Sequence, residues 1–391
     1  MANPTSSSYT VSSAITAYGG SRYIQPFDST SIVLHGSGEI DSADNGKVLV
    51  VELHGSGGQN YTTGTQYSAP VSGLMSYSTY NALSFSTVKS ATPGIFLIRP
   101  NDDYGTYPSG GQRQSMWMGF KHIPGEDIVL ITQRRLEAML QWADANLTQA
   151  APRKRCLTGG SMGGWGTLTF GLRRPKIFPA IYPDRPRWRY DATIGQIAIA
   201  DWTNLLDSVP AGSAPNLSAA DGGGSIFNLM DHTTYVSNTS NKIPWIGWCV
   251  GRQDGYTQFQ DHIDAVAAMR AAKRGFAFSW NNGNHSTGPT LSPILASYPY
   301  GTFELGVGYP LFTNHSGDAD PSVDLVGDIN VGLSFRNVVE SVHYWSCQVT
   351  SILGARTVTV EPISNIFKGP TTPQTISIPS ANSWVTVAFT S

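Results

Sequence analysis

The periodicity of apolar positions changes several times along the chain. Up to about residue 45, Ser and Thr alternate with apolar residues, the pattern of edge strands leading into a sheet. Residues 47 to 53, KVLVVEL, then form an apolar run that ends abruptly at His54-Gly55-Ser56-Gly57-Gly58, which predicts a buried strand followed by a tight loop. A second such run over 94 to 98 stops at Arg99-Pro100, and a helix is expected between the two, over 72 to 88. From Leu136 the period lengthens: Met139, Leu140, Ala143 and Leu147 make the stripe of an amphipathic helix. Arg155 to Thr158 predict a short strand, Ser161 sits in a glycine-rich turn, and a helix is expected over 162 to 173. Residues 186 to 241 are irregular, with a cluster at Asp221-Gly222-Gly223-Gly224-Ser225, and suit a lid or insertion.

Regular rhythm returns with an apolar strand over 243 to 250, a helix carrying Phe259, Ile263 and Val266, and a strand over 276 to 280. Strands alternating with helices predict an α/β fold with a mainly parallel sheet covered on both faces. Beyond about residue 300 the helical stripes stop, and short alternating segments appear at 357 to 360, 375 to 378 and 384 to 387. The expected organisation is therefore an α/β domain over 1–299, with its insertion at 186–241, and a small β-sandwich-like domain over 300–391.

Composition narrows the partners. The formal charge is -2, from 25 basic and 27 acidic residues, which gives no electrostatic reason to expect nucleic acid or an anionic membrane surface. Only 13% of residues are charged while Gly, Ser, Thr and aromatics are plentiful, a balance that fits a secreted or virion-exposed protein. The first ten residues carry no apolar core of signal-peptide length, and no run is long enough to span a bilayer. Cys156, Cys249 and Cys347 permit at most one disulfide and form no metal-binding pattern; Cys156 and Cys249, inside apolar runs, are expected to be buried free thiols.

The chemistry centres on Gly159-Gly160-Ser161-Met162-Gly163, placed between a predicted strand and a predicted helix. A serine at such a turn is forced into a strained backbone conformation, so its neighbours must be glycine, and its hydroxyl stands above the sheet. The amide that opens the following helix, that of Met162, is the predicted oxyanion donor. A serine hydroxyl needs a base, and the base needs an acid. Asp254 and His285 both follow predicted strands through short loops, where open α/β sheets place their sites. Asp231, Asp261 and Asp264 are alternative carboxylates; His315, which shares the Asn-His-Ser context of His285, and His232 and His262 are alternative bases.

Two copies of Leu-His-Gly-Ser-Gly compete for the second oxyanion donor. The copy at His54 follows the stronger apolar run, so the Ser56 amide is favoured, with Gly55 or Gly57 next, whereas the copy at His35 is expected to mark a turn between earlier strands. Trp188, Tyr190 and Trp202, interleaved with Arg185, Arg187 and Arg189, are candidates for an aromatic substrate-binding face, or else for packing beneath the lid. Asp318, Asp320, Asp324 and Asp328 form an acidic loop expected to be solvated rather than to hold calcium.

In these elements, over roughly residues 45 to 290, the sequence resembles the α/β-hydrolase superfamily, and Gly171-Leu172-Arg173-Arg174-Pro175 with Phe178-Pro179-Ala180 is loosely similar to secreted feruloyl esterases and polyhydroxyalkanoate depolymerases. Those relatives often have a cysteine where this chain has Ser56. The resemblance implies a serine esterase working through an acyl-enzyme on a small-molecule or polymeric ester, with Ser161, His285 and Asp254 as triad and no metal or organic cofactor. A peptidase of the same fold and a non-catalytic carbohydrate-binding or virion protein are the competing readings.

Overall fold

The computed structural model describes residues 7–11, 32–37, 47–55, 82–89, 95–100, 103–106, 112–114, 117, 120–121, 129–146, 150–189 and 230–391. They fall into two compact units, residues 1–152, 158–170 and 189–231 in the first and 153–157, 171–188 and 232–391 in the second. Among the described residues, no helix is long and apolar enough to cross a membrane.

In the first unit, strands β1 (Ser7–Val11), β2 (Ile32–Ser37), β3 (Lys47–Leu53), β4 (Ala82–Lys89) and β5 (Ile95–Pro100) are followed by two short antiparallel pairs, β6 (Asp103–Thr106) with β7 (Gln112–Gln114) and β8 (Phe120–Lys121) with β9 (Val129–Leu130). Helix α1 (Ile131–Asn146), strand β10 (Ala150–Gly160) and helix α2 (Met162–Gly171) complete it, β10 and α2 each having residues in both units. The strand order is β1-β2-β4-β5-β3-β10, with β2 and β4 parallel, β3 and β5 parallel, and β4 antiparallel to β5. Leu49, Val50, Val51 and Leu53 of β3 are buried, as a strand covered on both faces requires, and Leu136, Met139, Leu140 and Ala143 form the buried stripe of α1.

Two expectations need correction. The second half of the helix expected over 72 to 88 is strand β4, hydrogen-bonded to β2 on one side and β5 on the other; residues 72 to 81 lie outside the described residues. Leu83 and Phe85 alternate with Ser84 and Ser86, a period of two that pairing on both edges selects over a helix. His35 likewise marks no turn: it lies inside β2, opposite Ser8 of β1 and Ser84 of β4.

The second unit carries β11 (Ala180–Asp184), α3 (His232–Ser237), β12 (Trp245–Gly251), α4 (Phe259–Ala271), β13 (Phe276–Asn281) and α5 (Ser292–Ser297), then β14 (Tyr309–Thr313) and β15 (Gly327–Ile329). Strands β11, β12 and β13 run parallel in that order, and β15 closes the edge antiparallel to β13. Every residue of β12 is buried. Aromatic rings pack against it: Trp248 stacks on Phe278 at 4.7 Å and Trp245 on Phe303 at 4.5 Å.

The remaining strands, β16 (Leu333–Glu340), β17 (Tyr344–Ser351), β18 (Arg356–Ile363), β19 (Gln374–Ile378) and β20 (Val385–Thr390), form with β14 two three-stranded antiparallel sheets, β14-β18-β19 and β16-β17-β20. Their inward rows include Val358, Val360 and Ile378 in one and Trp345, Cys347, Val387 and Phe389 in the other, the alternation that the C-terminal sequence predicted. The fold class is thus α/β, a mixed, mostly parallel sheet with helices, followed by antiparallel all-β sheets. All three cysteines are buried and free.

Candidate functional site

Ser161 stands between β10 and α2 with φ +56°, the left-handed region that an L-residue enters only at a cost of roughly 1–2 kcal/mol. The neighbours show why the turn is glycine-rich. A Cβ on Gly159 would lie 2.5 Å from the Gly163 carbonyl oxygen and 2.6 Å from that of Leu53, and one on Gly163 would fall on the Leu53 carbonyl itself. Any larger residue at either position would push the elbow away from the end of β3. The first bond of α2 runs from Trp165 N–H to Ser161 O at 3.0 Å, so helical geometry leaves the amides of Met162 to Gly164 without intrahelical acceptors beside the serine.

The loop leaving β3 approaches the same serine. A Cβ on Gly55 would be 3.2 Å from Gly160 O and 3.6 Å from the Ser161 Cβ. His54 is held by Trp117, whose Nε1–H donates to the His54 carbonyl at 3.0 Å and whose ring lies 4.8 Å from the imidazole. Ser56, the favoured second oxyanion donor, and Gly57 lie outside the described residues, as do Tyr190 and Trp202. Trp188, the third candidate of the aromatic face, is a core residue and not a binding surface: it has no exposed area and packs edge-on against Trp248 at 5.2 Å.

In the second unit, Asp254 and His285 come together. His285 Nδ1 donates to Asp254 Oδ2 at 2.7 Å, with the carboxylate side chain fully buried and the imidazole 22% exposed. Asp254 leaves the end of β12 through Gly251, whose carbonyl accepts the Asp254 amide at 3.1 Å, and its Oδ1 accepts the Tyr256 amide at 2.9 Å. Burial pushes the Asp254 carboxyl up, but the His285 hydrogen bond, the Tyr256 amide and the charges of His285 and His262 outweigh it and hold the group below the ordinary carboxylate value. His285 leaves β13 through a turn in which Asn284 Oδ1 accepts the amides of Ser286 and Thr287 at 2.9 and 3.1 Å. The ring of Tyr256 meets the imidazole edge-on at 4.8 Å.

The competing residues have other work. Asp261 is buried on α4, Asp264 accepts from Gln260 at 2.9 Å, and Asp231 faces Arg189 at 3.8 Å. His315 bonds Asp318 at 2.9 Å, and Asp318 also accepts the Asn330 amide, tying together backbone near β15. Asp320 and Asp324 order their own turn, and among the described residues no group of three or more His, Cys, Asp or Glu is placed to hold a metal ion.

Sequence reasoning missed Asp184, at the end of β11, and its pairing with Arg185, which had been placed only beside the candidate aromatic face. Arg185, with φ +53°, donates to Asp184 Oδ2 at 2.7 Å and to the Pro289 carbonyl at 3.4 Å; Cys249 Sγ donates to Asp184 Oδ1 at 3.2 Å. Burial raises the Asp184 carboxyl, against the Arg185 charge, the Cys249 bond and the charge of His285. The signal was a carboxylate ending a strand, as with Asp254, but without a preceding run long enough to be read as one.

His262 is buried against Phe278, its ring 6.0 Å away and nearly parallel, with neither nitrogen hydrogen-bonded. Burial lowers its pKa from 6.5 to about 3, against the raising charge of Asp254. The unfolded chain therefore binds one more proton here between pH 6.5 and about 3, so stability is full above 6.5 and falls on acidification, by about 1.4 kcal/mol per pH unit from this group alone. His232, lowered by burial and then by Arg173, acts in the same direction, and the Asp254 contribution is lost at still lower pH, as its depressed folded value is passed. Urea unfolding of wild type and His262→Leu between pH 4 and 7 measures this; the variant should show a slope smaller by one proton, and equal slopes would refute it.

The first unit thus holds a strand, a glycine-rich elbow and a helix, and the second a carboxylate–imidazole pair beyond strand ends. No protein-family profile matches the chain, and no curated protein matches it in sequence. Among solved structures it is similar to an S-formylglutathione hydrolase from Agrobacterium tumefaciens (14% identity, TM-score 0.39, 62% of this chain and 78% of that one). It is also similar to fluorophosphonate-binding serine hydrolase F of Staphylococcus aureus (15%, 0.40, 72% and 92%). A third, the acylaminoacyl peptidase of Pyrococcus horikoshii, aligns over 63% of this chain but 34% of its own length (12%, 0.40). Such identities and TM-scores assign no residue a role and no substrate.

Proposed function

We propose that the chain is a serine hydrolase of carboxylic esters, acting through an acyl-enzyme on a polymer or polymer-derived ester. The observation that supports it most is the 2.7 Å bond between His285 and Asp254, two residues 31 positions apart that strand-end placement after the serine had singled out. In the tautomer that donates Nδ1–H to the carboxylate, Nε2 of His285 carries the basic lone pair.

In this reading Ser161 Oγ attacks the ester carbonyl carbon as its proton passes to His285 Nε2. The carbonyl oxygen, now negative, is met by the Met162 amide and that of Ser56. The C–O bond to the alcohol breaks, and the alcohol leaves with the proton from His285. Water, deprotonated by the same nitrogen, then attacks the acyl carbon and frees Ser161.

Labelling with a fluorophosphonate followed by peptide mapping tests the assignment: a single adduct on Ser161 is expected, and an adduct elsewhere would overturn it. Parallel assays on short acyl, feruloyl, acetylated-sugar, polyester and peptide substrates separate esterase from peptidase, with preference for esters as the expected result.

A further inference from the structure

The turn between β14 and β15 bonds its polar groups to one another at the surface. Asp320 Oδ1 accepts from the Ser322 amide and hydroxyl at 2.9 and 2.7 Å, Asp324 Oδ2 accepts the Asp320 amide at 2.7 Å, and the Asp324 amide donates to Asp320 O at 2.8 Å. Interleaved with the exposed Ser322 and Asp324 are aliphatic side chains that also face outward: Val323, Leu325 and Val326 are 70%, 59% and 64% exposed. Isolated exposed aliphatics are ordinary, but three within four residues on a hydrogen-bonded turn make an apolar patch that contributes little to the core.

Its position gives the patch a use. Gly327 pairs with Trp280 and Asp328 with Ser279, antiparallel, so the residues preceding Gly327 stand at the carboxyl end of β13, from which the His285 turn departs. The tip is tied there by a side chain of the loop that carries Asp254 and by one of β13 itself. Arg252, two residues before Asp254, donates through Nη1 to Pro321 O at 2.7 Å and Asp324 O at 2.9 Å, and Trp280 Nε1–H donates to Asp324 O at 2.9 Å. Tyr256, half exposed on the Asp254 loop, adds its ring against His285.

We infer that Val323, Leu325 and Val326 form a fixed apolar lip that receives the hydrocarbon portion of ester substrates beside His285. The inference rests on the reading of Asp254 and His285 as acid and base. It makes the preferred substrates esters with an extended hydrocarbon chain rather than acetylated sugars, because a rigid aliphatic lip rewards burial of methylene groups, each worth roughly 0.8 kcal/mol when fully buried.

The test compares the full chain with its Val323→Ser/Leu325→Ser/Val326→Ser variant on p-nitrophenyl acetate and p-nitrophenyl octanoate, with fluorophosphonate labelling of both proteins and their mass in solution. The expected result is a loss of about tenfold in kcat/KM on octanoate, carried by KM, with acetate turnover and labelling unchanged within twofold; restoring the three aliphatics as Ile, Ile and Ile should recover octanoate. Equal losses on both esters, or no loss on octanoate from a protein that is still labelled at Ser161, overturn the lip alone. A wild-type dimer that the substitutions dissociate with octanoate selectivity intact overturns it in favour of contact between copies. A wild type that is not labelled and hydrolyses neither ester overturns the hydrolase reading and the lip with it.

Discussion

Replacing Ser161 with Ala is expected to lower ester turnover by on the order of 10³- to 10⁶-fold while the chain stays folded. The size follows from the role proposed for the hydroxyl: without it there is no acyl-enzyme, and the background left is what oxyanion donors and substrate binding supply to water attack. Stability should change little. Ala at φ +56° meets the same Cβ strain as Ser, and the elbow is held by Gly159 and Gly163, which the substitution does not touch. The measurements are kcat/KM on a soluble ester and the urea midpoint; wild-type turnover in a well-folded variant would remove Ser161 from the mechanism.

The second large effect is expected at Asp254. Asp254→Asn should reduce kcat by about 10⁴-fold at neutral pH, because an amide can donate to Nδ1 and so hold the imidazole in the tautomer whose Nε2 already carries its proton. The carboxylate is buried and held below the ordinary value, so it is charged at neutral pH. Fluorophosphonate labelling should slow in parallel, since it uses the same proton transfer. A variant within tenfold of wild type would eliminate Asp254 and direct attention to Asp184, the other strand-end carboxylate that feels the charge of His285.

Much of this arrangement was legible in one dimension because its causes are local. Glycines at 159 and 163 betray a turn where side chains cannot fit, apolar runs such as 47 to 53 betray strands covered on both faces, and the 3.6-residue stripe from Leu136 fixes a buried helix face. The order of serine, aspartate and histidine after successive strands follows from the same rhythm, and the alternation beyond residue 300 was enough to place antiparallel sheets there.

What depended on partners distant in sequence was not legible. Whether residues 82 to 89 would be helix or strand was decided by β2 and β5 pairing with them. That Trp188 would vanish into the core was decided by Trp248, 60 residues on, and the partner that makes His315 structural is Asp318, which also takes the Asn330 amide just past β15. The selection of Asp254 among four candidate carboxylates became a hydrogen bond only where the ends of β12 and β13 lie side by side. Local sterics and periodicity are written into neighbouring residues; pairing, burial and proton position belong to contacts that exist only after the chain has folded.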